Sequence, residues 1–310
     1  MTQANPLVSV IMIFLNGERF IEEALASVLA QSYPNWELLL VDDGSTDGST
    51  AIARAHVARH PDRMRYLEHA GHQNRGMSAS RNLGVRESRG AYVAFLDADD
   101  VYLPEKLERQ VAILREQPEA AMVYGATLHW HSWTGREEDR RRDRPRKLGV
   151  PPDTLVRPPT LVRLLLRHQA WTPGTCGVLL RREAIEQVGG FDERFRGMFE
   201  DQVFFYKLLL RAAVFVESGS WDRYRQHPDS WCETAARSGE TRTDRRPSPA
   251  RGTFLRWLER YFAEQRVADT DLWSDLRHEL WPYRHPALYR LSELAARLRS
   301  RLDERRALNV

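Results

Sequence analysis

The chain has 310 residues, with 46 Lys plus Arg against 43 Asp plus Glu and a formal net charge of +3. Apolar residues make up 42%, charged residues 29% and aromatics 10%, which excludes a disordered, collagenous or coiled-coil chain. A fold of this length buries about 75% of the unfolded surface and needs no disulfide or metal staple.

The cationic side chains are almost all Arg, since the lysines are Lys106, Lys147 and Lys207 alone. Codon bias accounts for most of these positions, and the small excess of positive charge gives no ground for a nucleic-acid partner. Cys176 and Cys232 are isolated and form no CxxC pair, which argues against a zinc site and fits a reducing compartment. The first residues are polar, and no apolar run reaches the ~20 residues that span a bilayer. A cytoplasmic location follows as an expectation.

Strand and helix patterns alternate through the first hundred residues. Leu7 to Phe14 is a continuous apolar run, the mark of a strand buried on both faces. Phe20, Ile21, Ala24, Leu25, Val28 and Leu29 recur at helical spacing, with Pro34 beyond the helix end. Glu37 to Val41 reads as a strand, Thr46 to Arg59 as a helix, Met64 to Glu68 as a short strand and Ser78 to Ser88 as a helix. Ala91 to Leu96 is a further buried strand, halted at Asp97, and a helix opens at Pro104. Ala121 to Leu128 and Thr175 to Leu180 read as strands, Phe199 to Arg211 as a helix and Val214 to Val216 as a short strand.

Strands separated by single helices predict a mostly parallel, Rossmann-type α/β sheet flanked by helices. Ligands bind beyond the carboxyl ends of such strands. Three polar clusters fall there, Asn16 to Glu18, Asp42 to Ser45 and Asp97 to Asp100, and they should share one edge. Gly135 to Lys147 is a mixed-charge run that reads as a solvated loop. Residues 1–234 form the expected main domain, divided near residue 130. Residues 235–251 form a linker rich in Arg, Ser, Thr and Pro, and residues 252–310 a helical C-terminal region.

Asp97, Asp99 and Asp100 repel one another at a strand end, so a cation is expected among them. Mg²⁺ typically takes one or two carboxylates together with substrate phosphates. A carboxylate from Asp42 or Asp43 could accept a hydrogen bond from a nucleobase imide or a ribose hydroxyl. The turn after the first strand lacks GxGxxG, and no Gly-Lys pair exists, which disfavours a dinucleotide fold and a P-loop. Gly76 to Ser80 mimics a hydrolase elbow, with Asp201 and His227 following in order. The polar stretch before it, His72 to Arg75, is not the strand such an elbow requires.

Taken in order, VSVIMIFLNGE, VDDGSTD (Val41 to Asp47), SRNLG (Ser80 to Gly84) and FLDADD (Phe95 to Asp100) resemble the family-2 glycosyltransferases of the GT-A fold. GGFDE (Gly189 to Glu193), FEDQVFFYKLLLR (Phe199 to Arg211) and YRQHPDS (Tyr224 to Ser230) extend the resemblance to about residues 7–230. It implies an inverting transfer from a nucleotide diphosphate sugar to an acceptor hydroxyl, in bacterial surface glycan synthesis, with Mn²⁺ or Mg²⁺ as cofactor.

By motif position, the resemblance implies that Asp43 binds the nucleobase, Glu18 helps form the nucleoside pocket and Arg81 lies near the diphosphate. Phe14, Asn16, Ser45, Asp97 and Ala98 join the donor side. Asp97 and Asp99 resemble the DxD pair, with Asp99 the direct metal contact and His227 a further candidate ligand. Asp201 aligns with the general base, and Glu200 and Trp171 fall on the acceptor side. Leu15 and Ile13 depart from the family's usual Tyr and Thr or Pro.

The QxxRW motif of processive synthases is missing, since Thr253 stands where Gln would precede Arg256-Trp257. A single-addition enzyme working on a glycan or lipid-linked acceptor is therefore expected. Trp257, Trp273, Trp281, Tyr283 and Tyr289 lie among Arg residues, and this segment either contacts an anionic membrane or packs on the domain. A nucleotidyltransferase with a similar acidic metal site, or a non-catalytic nucleotide-sugar binding protein, is the alternative reading.

Overall fold

The computed structural model describes residues 5–242 and 246–295. Contacts within the chain divide it into two units, Met1–Thr234 and Ala235–Val310.

The first unit holds twelve strands among the described residues: β1 (Val8–Phe14), β2 (Trp36–Asp42), β3 (Met64–Glu68), β4 (Tyr92–Asp97), β5 (Val101–Tyr102), β6 (Met122–Tyr124), β7 (Leu128–Trp130), β8 (Arg144–Pro145), β9 (Thr154–Val156), β10 (Val178–Arg181), β11 (Val214–Val216) and β12 (Asp222–Arg225). Eight of them form a sheet in the order β3-β2-β1-β4-β10-β6-β11-β9, and four form a second sheet in the order β5-β12-β7-β8.

All seven residues of β1 are buried, as a strand covered on both faces requires. Helices Ile21–Leu29, Ser49–Arg59 and Met77–Glu87 make the crossovers between β1, β2, β3 and β4. Ile21, Ala24, Leu25 and Val28 are all buried, and withdrawing Ile21, Leu25 or Val28 from water contributes up to about 1.5–3 kcal/mol each. Ile13 pairs with both Val41 and Asp97, so β1, β2 and β4 end together. That register gathers the three polar clusters at one edge.

Elsewhere the sheet departs from the predicted pattern. β10 runs antiparallel to β4 and β6, and the expected strand start at Thr175 is a 3-10 turn over Thr175–Gly177. The predicted strand Ala121 to Leu128 is two strands in two sheets. A Cβ on Gly125 would sit 1.9 Å from the Gly219 carbonyl oxygen, so the chain passes between sheets where only glycine fits. The mixed-charge run holds a short helix, Glu137–Arg140, and the edge strand β8.

In the second unit, helices Pro249–Glu264 and Thr270–Arg284 each begin at a side-chain cap. Ser248 Oγ accepts from Arg251 N, and Asp269 Oδ1 accepts from Asp271 N and Leu272 N at 3.0 Å. Trp257 is buried and stacks on Tyr261, Trp273 Nε1 donates to the Val267 carbonyl, and Tyr283 Oη accepts from Ser248 N. These aromatics of the C-terminal segment therefore pack within their own unit, while Trp281 is exposed. Trp231–Ser238 is helical where a linker was expected to begin at Ala235. The rest of the predicted C-terminal region, residues 296–310, lies outside the described residues.

Among the described residues no helix is long and apolar enough to cross a membrane.

Candidate active site

The loops after β1 and β2 are tied to each other. Asn16, at φ +53°, accepts from Thr46 N through Oδ1 at 2.8 Å, and its own N–H donates to Ser45 Oγ at 3.0 Å. Glu18 Oε2 accepts from Gly48 N at 3.0 Å, and Glu18 N donates to Asp47. Glu18 thereby sits before the first turn of the Ser49–Arg59 helix, where the helix dipole favours a negative charge. Phe14 and Ala98, placed by the sequence on the donor side, have side chains buried in the core. What Phe14 gives the edge is its carbonyl, which accepts from Asp43 N at 2.9 Å.

Asp43 is buried, and its carboxylate accepts from Arg75 N at 2.7 Å and Gly76 N at 3.0 Å. It anchors the loop that leads into the Met77–Glu87 helix. Gly44 makes this possible, because at φ +86° its absent Cβ would stand 2.8 Å from Asn74 N and the His72 carbonyl. A cavity of about 620 Å³ opens beside this loop, lined by Asn74, Arg75, Glu193 and Arg196 among others.

Arg81, expected beside the diphosphate, is one of the most buried large side chains. Its Nη2 donates to Asp97 Oδ1 at 2.9 Å and its Nη1 to Glu200 Oε1 at 2.7 Å. It joins the end of β4 to the start of helix Glu200–Leu209 from beneath, and both ends of the guanidinium are occupied. Burial pushes Glu200 up to about 7, against the pull of Arg81 and with a further push from Asp201. Asp97 is likewise raised, by burial first, with Arg81 opposing and the charges of Asp99 and Asp201 adding to the rise.

Asp99 Oδ2 lies 3.0 Å from His227 Nε2. Arg225, to which the sequence reading gave no role, fixes this loop twice, through Nε to the Asp99 carbonyl at 2.7 Å and its backbone N–H to Asp100 Oδ1 at 2.9 Å, and its Nη2 donates to Glu23 of helix Ile21–Leu29 at 2.6 Å. Its place in the YRQHPDS motif was the available signal. Asp100 is buried and held well above the usual carboxylate range by burial and by Asp99 and Asp97, so it belongs to the scaffold.

Asp201 occupies the first turn of its helix, where Phe199 at φ +70° turns the chain inward. Its Oδ1 accepts from Gln202 N at 2.7 Å. Trp171 packs against His129 of the second sheet, with ring centroids 5.2 Å apart.

Among the described residues no group of three His, Cys, Asp or Glu could hold a metal ion alone. The donor set still fits a hard divalent cation, which uses few protein carboxylates and completes its shell with phosphate oxygens. Asp97 and Asp99 are both partly exposed, and each raises the other's energy as a neighbouring anion. A cation held by them would relieve that repulsion.

The TarS fragment 1-349 of S. aureus, solved in complex with UDP-GlcNAc, superposes with a TM-score of 0.59 at 22% identity, over 74% of this chain and 61% of that one. The mannosyltransferase PcManGT from Pyrobaculum calidifontis, solved with GDP-Man and Mn²⁺, gives 0.58 at 19% identity over 95% and 81%. These likenesses establish the GT-A fold. The Bacillus subtilis (strain 168) protein TuaG, named as a teichuronic acid biosynthesis glycosyltransferase, is 40% identical over 136 residues, 41% of this chain and 50% of that protein. Across several curated relatives the chain spans 40 to 54% of their length. The family model Glycosyl transferase family 2 matches residues 9–189, more than half of the sequence, and the chain belongs to that family.

Proposed function

We propose that this protein is an inverting glycosyltransferase that moves a sugar from a nucleotide diphosphate donor to an acceptor hydroxyl. The observation that carries the reading is the meeting of Asp97 and Asp99 from the end of β4 with Glu200 and Asp201 from a helix start more than a hundred residues later.

In this mechanism the donor's diphosphate lies over the end of β4. When bound, a Mn²⁺ or Mg²⁺ ion held by Asp97 and Asp99, with His227 behind Asp99, would neutralise charge growing on the leaving diphosphate. Asp201 takes the proton of the acceptor hydroxyl, a poor nucleophile until a carboxylate within hydrogen-bond reach removes it. The acceptor oxygen bonds to the anomeric carbon as the bond to the diphosphate breaks on the opposite face. The electron pair leaves with the nucleoside diphosphate. Arg81 holds Asp97 and Glu200 in register from below, and Asp43 holds the wall beside the base.

A surface glycan or a lipid-linked sugar is the acceptor in this reading, supported by the name of TuaG. Exposed Trp281, Leu288, Leu291 and Leu294 support a peripheral membrane placement through the C-terminal unit. The test is a panel of nucleotide sugars with the whole chain, with and without Mn²⁺. Nucleoside diphosphate release that needs the ion and stops with EDTA is the expected result. Silence with every donor overturns the reading, and pyrophosphate release from a nucleoside triphosphate assigns a nucleotidyltransferase instead.

A further inference from the structure

We infer that the second sheet carries an acceptor subsite for an anionic group, a phosphate or a carboxylate on or next to the acceptor sugar, held by Arg144, Arg146 and Lys147 beside Trp171. This rests on the glycosyltransferase reading and adds a substrate class to it.

The register of the sheet supplies the geometry. Tyr224 on β12 pairs with His129 on β7, and His129 pairs with Arg144 on β8. Directly paired residues share a face, so Tyr224, His129 and Arg144 form one row across the sheet. At the usual strand spacing the row is about 10 Å long. The rings of Tyr224 and Trp171 lie 5.3 and 5.2 Å from that of His129, and the Arg144 guanidinium is 5.7 Å from Trp171. Arg146 lies over Tyr224 at 5.2 Å.

One end of this row lies beside Cys232. Tyr224 Oη donates to Cys232 Sγ at 3.5 Å, and the Cys232 thiol feels the charges of Asp201, Arg146 and Glu200 together. An acceptor whose hydroxyl meets Asp201 therefore extends along a face lined by aromatic rings and ends among cations. Sugar rings pack on aromatic faces, and guanidinium forks match phosphate and carboxylate.

Charge pairing varies along the Gly135–Lys147 run, where Arg141 also forms no ion pair with a described carboxylate. Arg136, Arg140 and Arg142 form surface ion pairs within the run with Glu138, Glu137 and Asp139. Arg144, Arg146 and Lys147 form no ion pair with any described carboxylate. Arg146 donates instead to His129 Nε2 at 3.1 Å and to the Thr172 carbonyl at 2.8 Å. A histidine that accepts from a guanidinium is neutral, in keeping with a pKa pushed down to about 3 by burial and then by Arg146 and Arg144. The wall thus presents positive charge without a counter-ion among the described residues.

The test titrates glucose 6-phosphate, glucuronate and glucose into the whole chain saturated with the nucleoside diphosphate that the donor panel identifies. Binding is read by calorimetry. At least one anion should bind about tenfold or more tighter than glucose, the gain of a charge-assisted pair, and the better of the two shows whether the group is phosphate or carboxylate. Arg144→Gln with Lys147→Gln, both at exposed positions, should erase most of that preference, and Arg144→Lys should keep most of it. Equal binding of glucose and both anions, or a preference that survives the double variant, overturns the subsite. So does a weaker nucleoside diphosphate affinity in the variant, which assigns the charges to the donor. If no nucleotide sugar is turned over, the transferase reading fails by that separate measurement.

Discussion

His227 Nε2 and Asp99 Oδ2 meet at 3.0 Å across 128 positions of sequence. The pair joins the loop after β4 to the loop after β12, and so fixes the second sheet against the acidic end of the first. The buried His227 ring packs on Phe20, 4.8 Å away, which leaves Asp99 little freedom to turn. Replacing His227 with Gln should lower the apparent affinity for Mn²⁺ about 10- to 100-fold, as loss of a ligand-orienting contact does. The Mn²⁺ concentration at half-maximal donor turnover measures this, and an unchanged value removes His227 from the site.

Asp201→Asn should lower kcat by about 10²–10⁴, the range of general-base catalysis, while the dissociation constant for the nucleotide sugar stays within about twofold of wild type. Equilibrium binding and single-turnover transfer on the same preparation separate the two. Full turnover in the variant would move the base to another group.

Arg81 is the only described cation bonded to Glu200. Arg81→Met should cost about 3–5 kcal/mol in urea unfolding, because it strands a buried carboxylate. Adding Glu200→Gln should restore part of that loss, and the coupling read from the double-mutant cycle should be favourable. Additive losses would show that the two side chains act independently.

The pH dependence of Glu200 has a definite sign. Its pKa rises from the ordinary 4.5 to about 7 on folding, so between those values the folded chain binds more protons than the unfolded one. Stability from this group is full below pH 4.5 and is lost as the pH climbs through 7. Wild type should therefore lose stability relative to Glu200→Gln across that window, as seen in paired urea midpoints. A constant difference from pH 4.5 to 7 contradicts the shift.

Gly44→Ala tests the anchoring of the Asp43 loop. The positive φ alone costs on the order of 1–3 kcal/mol, and the new Cβ would press on Asn74 N and the His72 carbonyl at 2.8 Å. The melting temperature should fall and nucleoside diphosphate affinity with it. A variant with wild-type values for both would mean that the loop adapts freely.

Much of the α/β core was legible because its signals are local. A continuous apolar run gave β1, and β4 ends at Asp97, one residue beyond the expected Leu96. The shared edge followed from parallel connectivity. The second sheet was not legible, since its strands run two to four residues and are paired by partners more than a hundred positions away, as Arg223 with Val101. Arg81 shows the same limit within the site. Its motif drew attention to it, but its two carboxylate partners lie 16 and 119 positions off, and only folding reveals that they occupy the guanidinium. Arg225 stood in a motif that drew attention to its neighbours, but its own partners, Asp99, Asp100 and Glu23, lie more than a hundred positions off.

The margin of the second sheet has an evolutionary consequence. β8 is two residues long and pairs with a single neighbour, so substitutions there disturb neither β4 nor the carboxylates at its end. On the proposed acceptor subsite, a lineage can exchange Arg144 or Lys147 and meet a differently charged glycan while its leaving-group chemistry passes to descendants unaltered.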